Sequence, residues 1–412
     1  MAKRTALQTV TNIQRSANGT DMAKARAVAQ ATRLTATAVP SITKPSLNWD
    51  ETLPNSDETV EEEDQDDEDD DDEHDAADNT MEDDLFANDT VSYDLTEPTA
   101  LNVANIINDS VSNPDALFPV WDKKTKQELR SVYSEFKNKP GILDEDDEDT
   151  FDVSMVAEYG QDIFQYMRKL EIQMRPNPGY MDAQTEIHWS MRSILIDWLV
   201  QVHHRFNLLP ETLYLTINYI DRFLSIKTVS LSKFQLVGAT ALFLAAKYEE
   251  INCPSVQELE YMVDHGYSVD EILKAERYMI DLLEFNLGWP GPMSFLRRTS
   301  KADDYDLETR TLAKYLLEVT VMDEKFVAAP PSWTAAAAHC LARRMLGRGA
   351  WSRAHVYFSG YTQVQLQPCV EAILECCKDP LQHHKAIYEK YADRKYKKAS
   401  IFVQDYISRN ED

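Results

Sequence analysis

The sequence is short of glycine, with 11 in 412 residues, under half of the usual ~7 % share. None of them falls into GxGxxG or GxxxxGK[ST], so no phosphate-cradling loop is visible and nucleotide-binding enzyme classes lose ground. Positive charge is scarce as well. Forty-two Lys and Arg face 70 Asp and Glu, for a formal charge of −28. A protein that grips nucleic acid needs a concentrated basic surface to neutralise phosphates, so that class is disfavoured. Cysteine is limited to Cys253, Cys340, Cys369, Cys376 and Cys377, an odd set without a CxxC pair, which suits reduced thiols in an intracellular protein. No charged-then-apolar leader opens the chain and no uncharged apolar run of ~18 residues occurs. These absences predict a soluble protein of nucleus or cytoplasm that engages neither membrane nor nucleic acid.

The charge that is present is unevenly spread. Residues 51–100 hold 23 acids and no Lys or Arg, and residues 1–50 carry seven basic and two acidic side chains, leaving 101–412 only mildly acidic. Within the acidic block, EEEDQDDEDDDDEHD at 61–75 repels itself too strongly for a packed core. Residues 1–150, poor in aromatics and closed by DEDDED at 144–149, are therefore predicted to be a long disordered acidic tail. Beyond it, apolar-periodic segments alternate with short polar breaks and strand-like alternation is almost absent, which predicts an all-α region.

About 250 residues are long for one small core and suit two domains of about five helices each. Segment 157–175 reads as an amphipathic helix stopped by Pro176 and Pro178. Helices follow at about 185–207, 211–226, 231–250, 255–264 and 269–286. The run Leu287-Gly288-Trp289-Pro290-Gly291-Pro292 breaks any helix and marks a domain boundary. The expected parts are the tail (1–150), an N-terminal helix (151–180), a first helical domain (181–290) and a second (291–412). LVGATALFLAAK at 236–247 and WTAAAAHCLARR at 333–344 echo one another at an offset of 97 residues. Small residues on all sides of a helix let neighbours approach closely, as the central helix of a bundle requires.

In MRSILIDWLVQVHHRF (191–206) most of the helix surface is apolar, so most of it must be buried. Here the chain resembles the cyclins, whose first box opens M-R-x-I-L-x-D-W-L. The likeness continues through ETLYLTINYIDRFL (211–224), LVGATALFLAAKYEE (236–250) and KAERYMIDLLEFNL (274–287). FLRRTSK (295–301), TLAKYLLEVTVMD (311–323) and the AAKYEE spelling resemble the B-type, mitotic cyclins, in a fungal-like form. The resemblance implies two tandem five-helix cyclin boxes behind an N-terminal helix. It further implies a regulatory subunit that binds and activates a cyclin-dependent serine/threonine kinase at entry into mitosis and is then removed by ubiquitin-dependent proteolysis. The alternative, a cyclin-fold transcription or elongation factor subunit, would show a basic second domain or an N-terminal zinc ribbon, and neither is present.

Site residues follow from the same resemblance. Lys247 and Glu276 match positions that contact the kinase's mobile helix; the plain alternative is a structural salt bridge between them. Tyr159, Ile163, Tyr166 and Leu170 repeat at about helical spacing on a helix outside the first box, so part of that row is expected to face the kinase. Met191, Leu195 and Trp198, with Gln235, match an exposed apolar groove that docks short Arg-x-Leu segments of substrate proteins. Gln201 replaces a family Glu there, weakening a charge-assisted contact. Arg192 is expected to be structural and Asp197 a helix-face or capping partner. Arg297, Arg310 and Lys314 match a phosphate-binding pocket of B-type relatives, with Arg298 beside them; a solvated basic face is the alternative. RTALQTVTN (4–12) fits a destruction box with Arg4, Leu7 and Asn12 as fixed positions, read by a ubiquitin ligase. His203-His204 and Cys376-Cys377 with His383-His384 are adjacent pairs rather than zinc-like spacings. Packing roles are expected for them. No nucleophile, base and orienter set stands out, so no catalytic residue, cofactor or metal is expected.

Overall fold

Five residues, each a Pro or a capping side chain ahead of an apolar-periodic run, explain where five of the helices begin. Pro210, Pro292 and Pro331 occupy first-turn positions, where a missing N–H costs nothing. Ser255 and Ser268 each close a capping box with the Glu three residues on. The computed structural model describes residues 117–136, 156 and 159–410, all within one compact unit. No strand occurs among the described residues, and none of their helices is long and apolar enough to cross a membrane.

The elements are α1 (Lys123–Phe136), α2 (Gly160–Gln173), α3 (Trp189–Phe206), α4 (Pro210–Ile226), α5 (Leu231–Glu249), α6 (Val256–Met262) and α7 (Val269–Leu282). They continue as α8 (Pro292–Ser300), α9 (Leu307–Val319), α10 (Pro331–Met345), α11 (Arg353–Ser359), α12 (Gln363–Cys376), α13 (Pro380–His383), α14 (Lys385–Tyr391) and α15 (Ala399–Asn410). Helices α3–α7 form one bundle around α5, which touches each of the other four. Helices α8–α12 form a second around α10, which also touches each of its four companions. The two small-residue segments of the sequence are thus the two central helices. Ala239, Ala241, Ala245 and Ala246 in α5 and Ala335 to Ala338 in α10 are fully buried. At Gly238 a Cβ would lie 2.8 Å from Leu195 Cδ1, so only glycine lets α3 cross α5 this closely.

The internal repeat extends well beyond one helix. The starts of α4, α6 and their counterparts α9, α11 are each displaced by 97 residues, and α11 and α12 open with capping boxes of their own, Ser352 with His355 and Thr362 with Gln365. The second bundle then carries three further helices, of which α14 packs on α3 of the first and α15 on α9.

Composition assigns residues 1–150 to a disordered tail, and the structure corrects this for 117–136. Trp121, Leu129, Val132 and Phe136 are buried against the second bundle. Trp121 meets Tyr361 at 5.9 Å between ring centroids and Phe136 stacks on Tyr357 at 5.2 Å. Gln365 Nε2 donates to Val120 O at 3.0 Å, and Arg353 pairs with Glu135 at 2.6 Å. A short apolar island is diluted when it is averaged over 150 mostly polar residues, although each large side chain it buries contributes roughly 1.5–3 kcal/mol. The acidic run and Arg4, Leu7 and Asn12 lie outside the described residues.

Candidate functional site

Helix α2 is amphipathic, with one face anchored and the other open. On the anchored face Arg168 and Glu171 are buried at i, i+3. Arg168 Nη1 donates to Tyr361 Oη at 2.9 Å and to Ser332 Oγ at 3.2 Å, and its Nη2 reaches Ser359 O. Glu171 accepts from Ser332 N at 2.9 Å and from Ser332 Oγ at 2.7 Å. Burial raises the Glu171 carboxyl, and the Arg168 charge with these donors works against that rise. Phe164 adds a tilted contact with Phe295 at 5.7 Å. On the open face Tyr159 is 55 %, Ile163 39 % and Tyr166 61 % exposed, whereas Leu170 is half-buried. A row of two tyrosines and an isoleucine in solvent, on a helix fixed by a buried ion pair, is a preformed apolar contact surface.

Lys247 near the end of α5 and Glu276 in the middle of α7 are brought together. The structure joins them as an ion pair in which Lys247 keeps 44 % of its side chain exposed while Glu276 is buried. The Lys247 ammonium also stands 4.6 Å from the centre of the Phe243 ring. In the unbound chain the two charges therefore satisfy each other, at the edge of the bundle.

The apolar row on α3 needs correction. An exposed groove was expected from Met191, Leu195, Trp198 and Gln235, but Met191, Leu195 and Gln235 are buried, and Leu195 is the residue that presses on Gly238. The half-exposed row is Ile194, Trp198 and Gln201, spaced i, i+4, i+7 one step round the helix. Both rows satisfy helical spacing, so periodicity alone could not choose between them; the packing of α5 does. Gln201 Nε2 donates to Asp197 Oδ2 at 3.0 Å, and Asp197 Oδ1 accepts from Ala386 N at 2.8 Å, so Asp197 caps α14. Arg192 is structural: it grips Asp221 through two bonds of 2.8 and 2.7 Å and donates to Val321 O of the second bundle at 2.9 Å.

The cations near the start of the second bundle separate into two groups. Arg298 turns inward, over the Phe164 ring at 4.4 Å and onto Gln161 Oε1 at 3.3 Å, and burial lowers its guanidinium to about 10. Arg297 is exposed, while Arg310 and Lys314 are half-buried. Burial first and Arg297 second lower Arg310, and burial followed by Arg310 lowers Lys314. The three expected residues thus form one mutually repelling cationic group.

Families of known sequence match this architecture. A model described as "Cyclin, N-terminal domain" matches residues 162–288, and one described as "Cyclin, C-terminal domain" matches 290–405. The chain belongs to the cyclin family. It is 62 % identical over 289 residues to G2/mitotic-specific cyclin-4 of Candida albicans, a match covering 70 % of this chain and 59 % of that one. It is 54 % identical to G2/mitotic-specific cyclin-4 of Saccharomyces cerevisiae, covering 73 % and 65 %, and 50 % identical to G2/mitotic-specific cyclin cig1 of Schizosaccharomyces pombe, covering 70 % and 69 %. The chain spans about three fifths of the length of the first of these curated relatives. The likeness to fungal mitotic cyclins read from the sequence is borne out, and the two bundles are its cyclin boxes.

Three clusters in this cyclin were missed by sequence reasoning: the Arg168–Glu171 clamp, Asp303 with His339 and His355, and Asp323 with Cys376 and His383. Each is completed by a partner far away in the chain, Ser332 for the Arg168–Glu171 pair and Asp303 or Asp323 for the other two, so local spacing does not announce it. Burial raises all four second-box thiols, Cys340, Cys369, Cys376 and Cys377, which makes them poor nucleophiles.

Proposed function

We propose that this cyclin is the regulatory subunit of a cyclin-dependent serine/threonine kinase and promotes entry into mitosis by binding and activating it. The observation that carries the reading is the open face of α2, where Tyr159, Ile163 and Tyr166 are held in solvent by the buried Arg168 and Glu171 on the opposite side. Leu170 at its margin and the half-exposed Lys247 with Glu276 extend the kinase-binding surface. Phosphoryl transfer by such a kinase requires its Lys–Glu pair and metal-binding Asp to be assembled. A rigid surface that binds only the assembled state shifts that population, and moving it from 1:99 to 99:1 takes roughly 5.5 kcal/mol of differential affinity. The cyclin acts through its partner and performs no chemistry of its own.

Substrate proteins dock by short motifs on the α3 face of Trp198 and Gln201, with Met191, Leu195 and Gln235 supporting it from beneath. Arg297, Arg310 and Lys314 receive phosphorylated partners, because clustered cations without an ion-pair partner among the described residues suit a phosphate. Arg4, Leu7 and Asn12 deliver the chain to a ubiquitin ligase, and the complex works in nucleus and cytoplasm.

The test is a kinase pull-down and histone-kinase assay with wild type and an Ile163→Ala, Tyr166→Ala variant, each checked by thermal melting. Activation should fall at least tenfold with the melting temperature unchanged. Full activation by the variant would refute the proposed surface.

A further inference from the structure

Two groups in the second box bring Asp, His and, in one case, Cys ligand atoms within 4.8 Å of one another. They differ in what already fills them. In the first, the Asp303 carboxylate is fully occupied: Arg343 takes Oδ1, and His339 and His355 meet Oδ2 at 2.8 and 3.1 Å. The guanidinium supplies the counter-charge a cation would bring, and the His339 imidazole hydrogen-bonds the carboxylate. Nothing remains to hold a metal there.

The second group is built differently. Asp323 lies between the 3-10 turns Thr320–Met322 and Glu324–Phe326, Cys376 ends α12, and His383 ends α13. Cys376 Sγ is 3.4 Å and His383 Nε2 3.7 Å from Asp323 Oδ2. Around a tetrahedral zinc with bonds of ~2.0–2.3 Å, ligand atoms stand about 3.3–3.6 Å apart, so both distances to Asp323 are already close to what such an ion imposes, and the Cys376 and His383 ligand atoms lie within 4.8 Å of each other. Behind His383, Nδ1 lies 3.0 Å from His384 Nδ1, and His384 Nε2 lies 2.8 Å from Tyr315 Oη. With His383 Nδ1–H donating to His384 and His384 Nε2–H donating to Tyr315, the His383 Nε2 lone pair is directed into the cluster, the outer arrangement typical of metal-bound imidazoles. Among the described residues the competing cation is Lys325, which stands 4.0 Å from Asp323 Oδ2 with half its side chain in solvent, free to swing away.

We propose that Asp323, Cys376 and His383 form a zinc site, with water completing the fourth position. A thiolate, an imidazole and a carboxylate together select zinc over the hard cations magnesium and calcium. On binding, the Cys376 S–H bond to Asp323 is replaced by an Sγ–Zn bond and one proton leaves to solvent, so the carboxylate and thiolate together neutralise the divalent ion. The site has a structural consequence. Its Asp323 loop is the segment whose Val321 O and Met322 O accept from Arg192 Nη1 at 2.9 Å and Ser193 Oγ at 3.3 Å in the first box. Zinc at this point ties α12 and α13 to the loop that bridges the boxes. Adjacent Cys and His pairs do not reveal the site in sequence, because its third ligand lies 53 residues upstream of Cys376.

The test uses the full reduced chain freed of metal. Cobalt(II) is titrated as a spectroscopic probe, followed by displacement with zinc against a competing chelator. One equivalent should bind with a thiolate-to-cobalt charge-transfer band, and zinc should raise the melting temperature. Cys376→Ser should abolish the band, and His383→Gln and Asp323→Asn, both at partly exposed positions, should weaken zinc binding at least tenfold while the far-UV circular dichroism stays unchanged. Cys253→Ser, which alters a thiol of the first box, should retain the band. Absence of the band in wild type, its survival in Cys376→Ser, or unchanged affinity in both His383→Gln and Asp323→Asn would overturn the proposal.

Discussion

The two boxes share a plan and differ in what covers them. The first is mostly bare: its outer charges, such as Lys247 with Glu276 and Lys233 with Glu271, meet at or near solvent. The second is wrapped by α1, α2 and α15, with α14 lodged between it and α3 of the first, and several of its charges are sunk into this covering. Glu318 accepts from Lys390 at 2.9 and 2.8 Å and from Tyr391 at 2.6 Å, all buried, and the Arg168–Glu171 clamp repeats the pattern. A duplicated bundle has thus been divided between two tasks. One copy keeps its surface available, and the other uses its surface to hold the N-terminal and C-terminal segments.

That contrast can be broken most severely where the boxes meet. Arg192→Ala strands the buried Asp221 carboxylate and the Val321 carbonyl together, and should cost about 3–5 kcal/mol of stability. Denaturant titration measures it, and a loss under 1 kcal/mol would mean that the boxes do not share this anchor.

Acid should act next most strongly. Burial lowers His203 to about 4 and His384 to about 3, so both imidazoles are neutral in the folded chain while the unfolded chain takes up protons near 6.5. Between pH 6.5 and 4 the unfolded state binds more protons, so stability falls as pH falls and is fully present above 6.5. The shift at His203 corresponds to roughly 3 kcal/mol by pH 4. His203→Gln, which keeps a donor for Leu209 O, should flatten the slope of melting temperature against pH over this window.

A smaller effect is expected from the wrapping. Glu171→Gln removes the charge that receives both Ser332 donors and should cost about 1.5–3 kcal/mol, read as faster hydrogen exchange in α2 while α5 keeps its protection. Smallest of all, Lys247→Ala with Glu276→Ala should change stability by about 0–1 kcal/mol, since half of the pair is in solvent. A loss of several kcal/mol would move this pair into the class of the buried clusters and erase the distinction between the boxes.

Legibility followed the same division. Helix positions in the first box were readable because each run is bounded by Pro, Ser or Asn and is apolar on a repeating face, and the central role of 236–247 and 333–344 followed from small side chains alone. On α3 Leu195 was expected to be exposed and is buried while its neighbour Ile194 is half-exposed, because both are apolar and at helical spacing from Trp198, and only the position of α5 tells which is inside. Segment 117–136 was lost in the average of the acidic region around it. The S-x-x-E boxes at Ser255 and Ser268 were present as local signals and would have set two helix starts.

By itself the sequence determined the all-helical class, the duplication, the break near Trp289 and the family, because each rests on composition, periodicity or a long ordered string of motifs. Tertiary structure alone decided which face of α2 is open, that Lys247 and Glu276 neutralise each other in the unbound chain, and that Asp323 joins Cys376 and His383. These are contacts between helices separated by tens of residues. Their geometry depends on how two bundles pack, and no local preference of the chain encodes it.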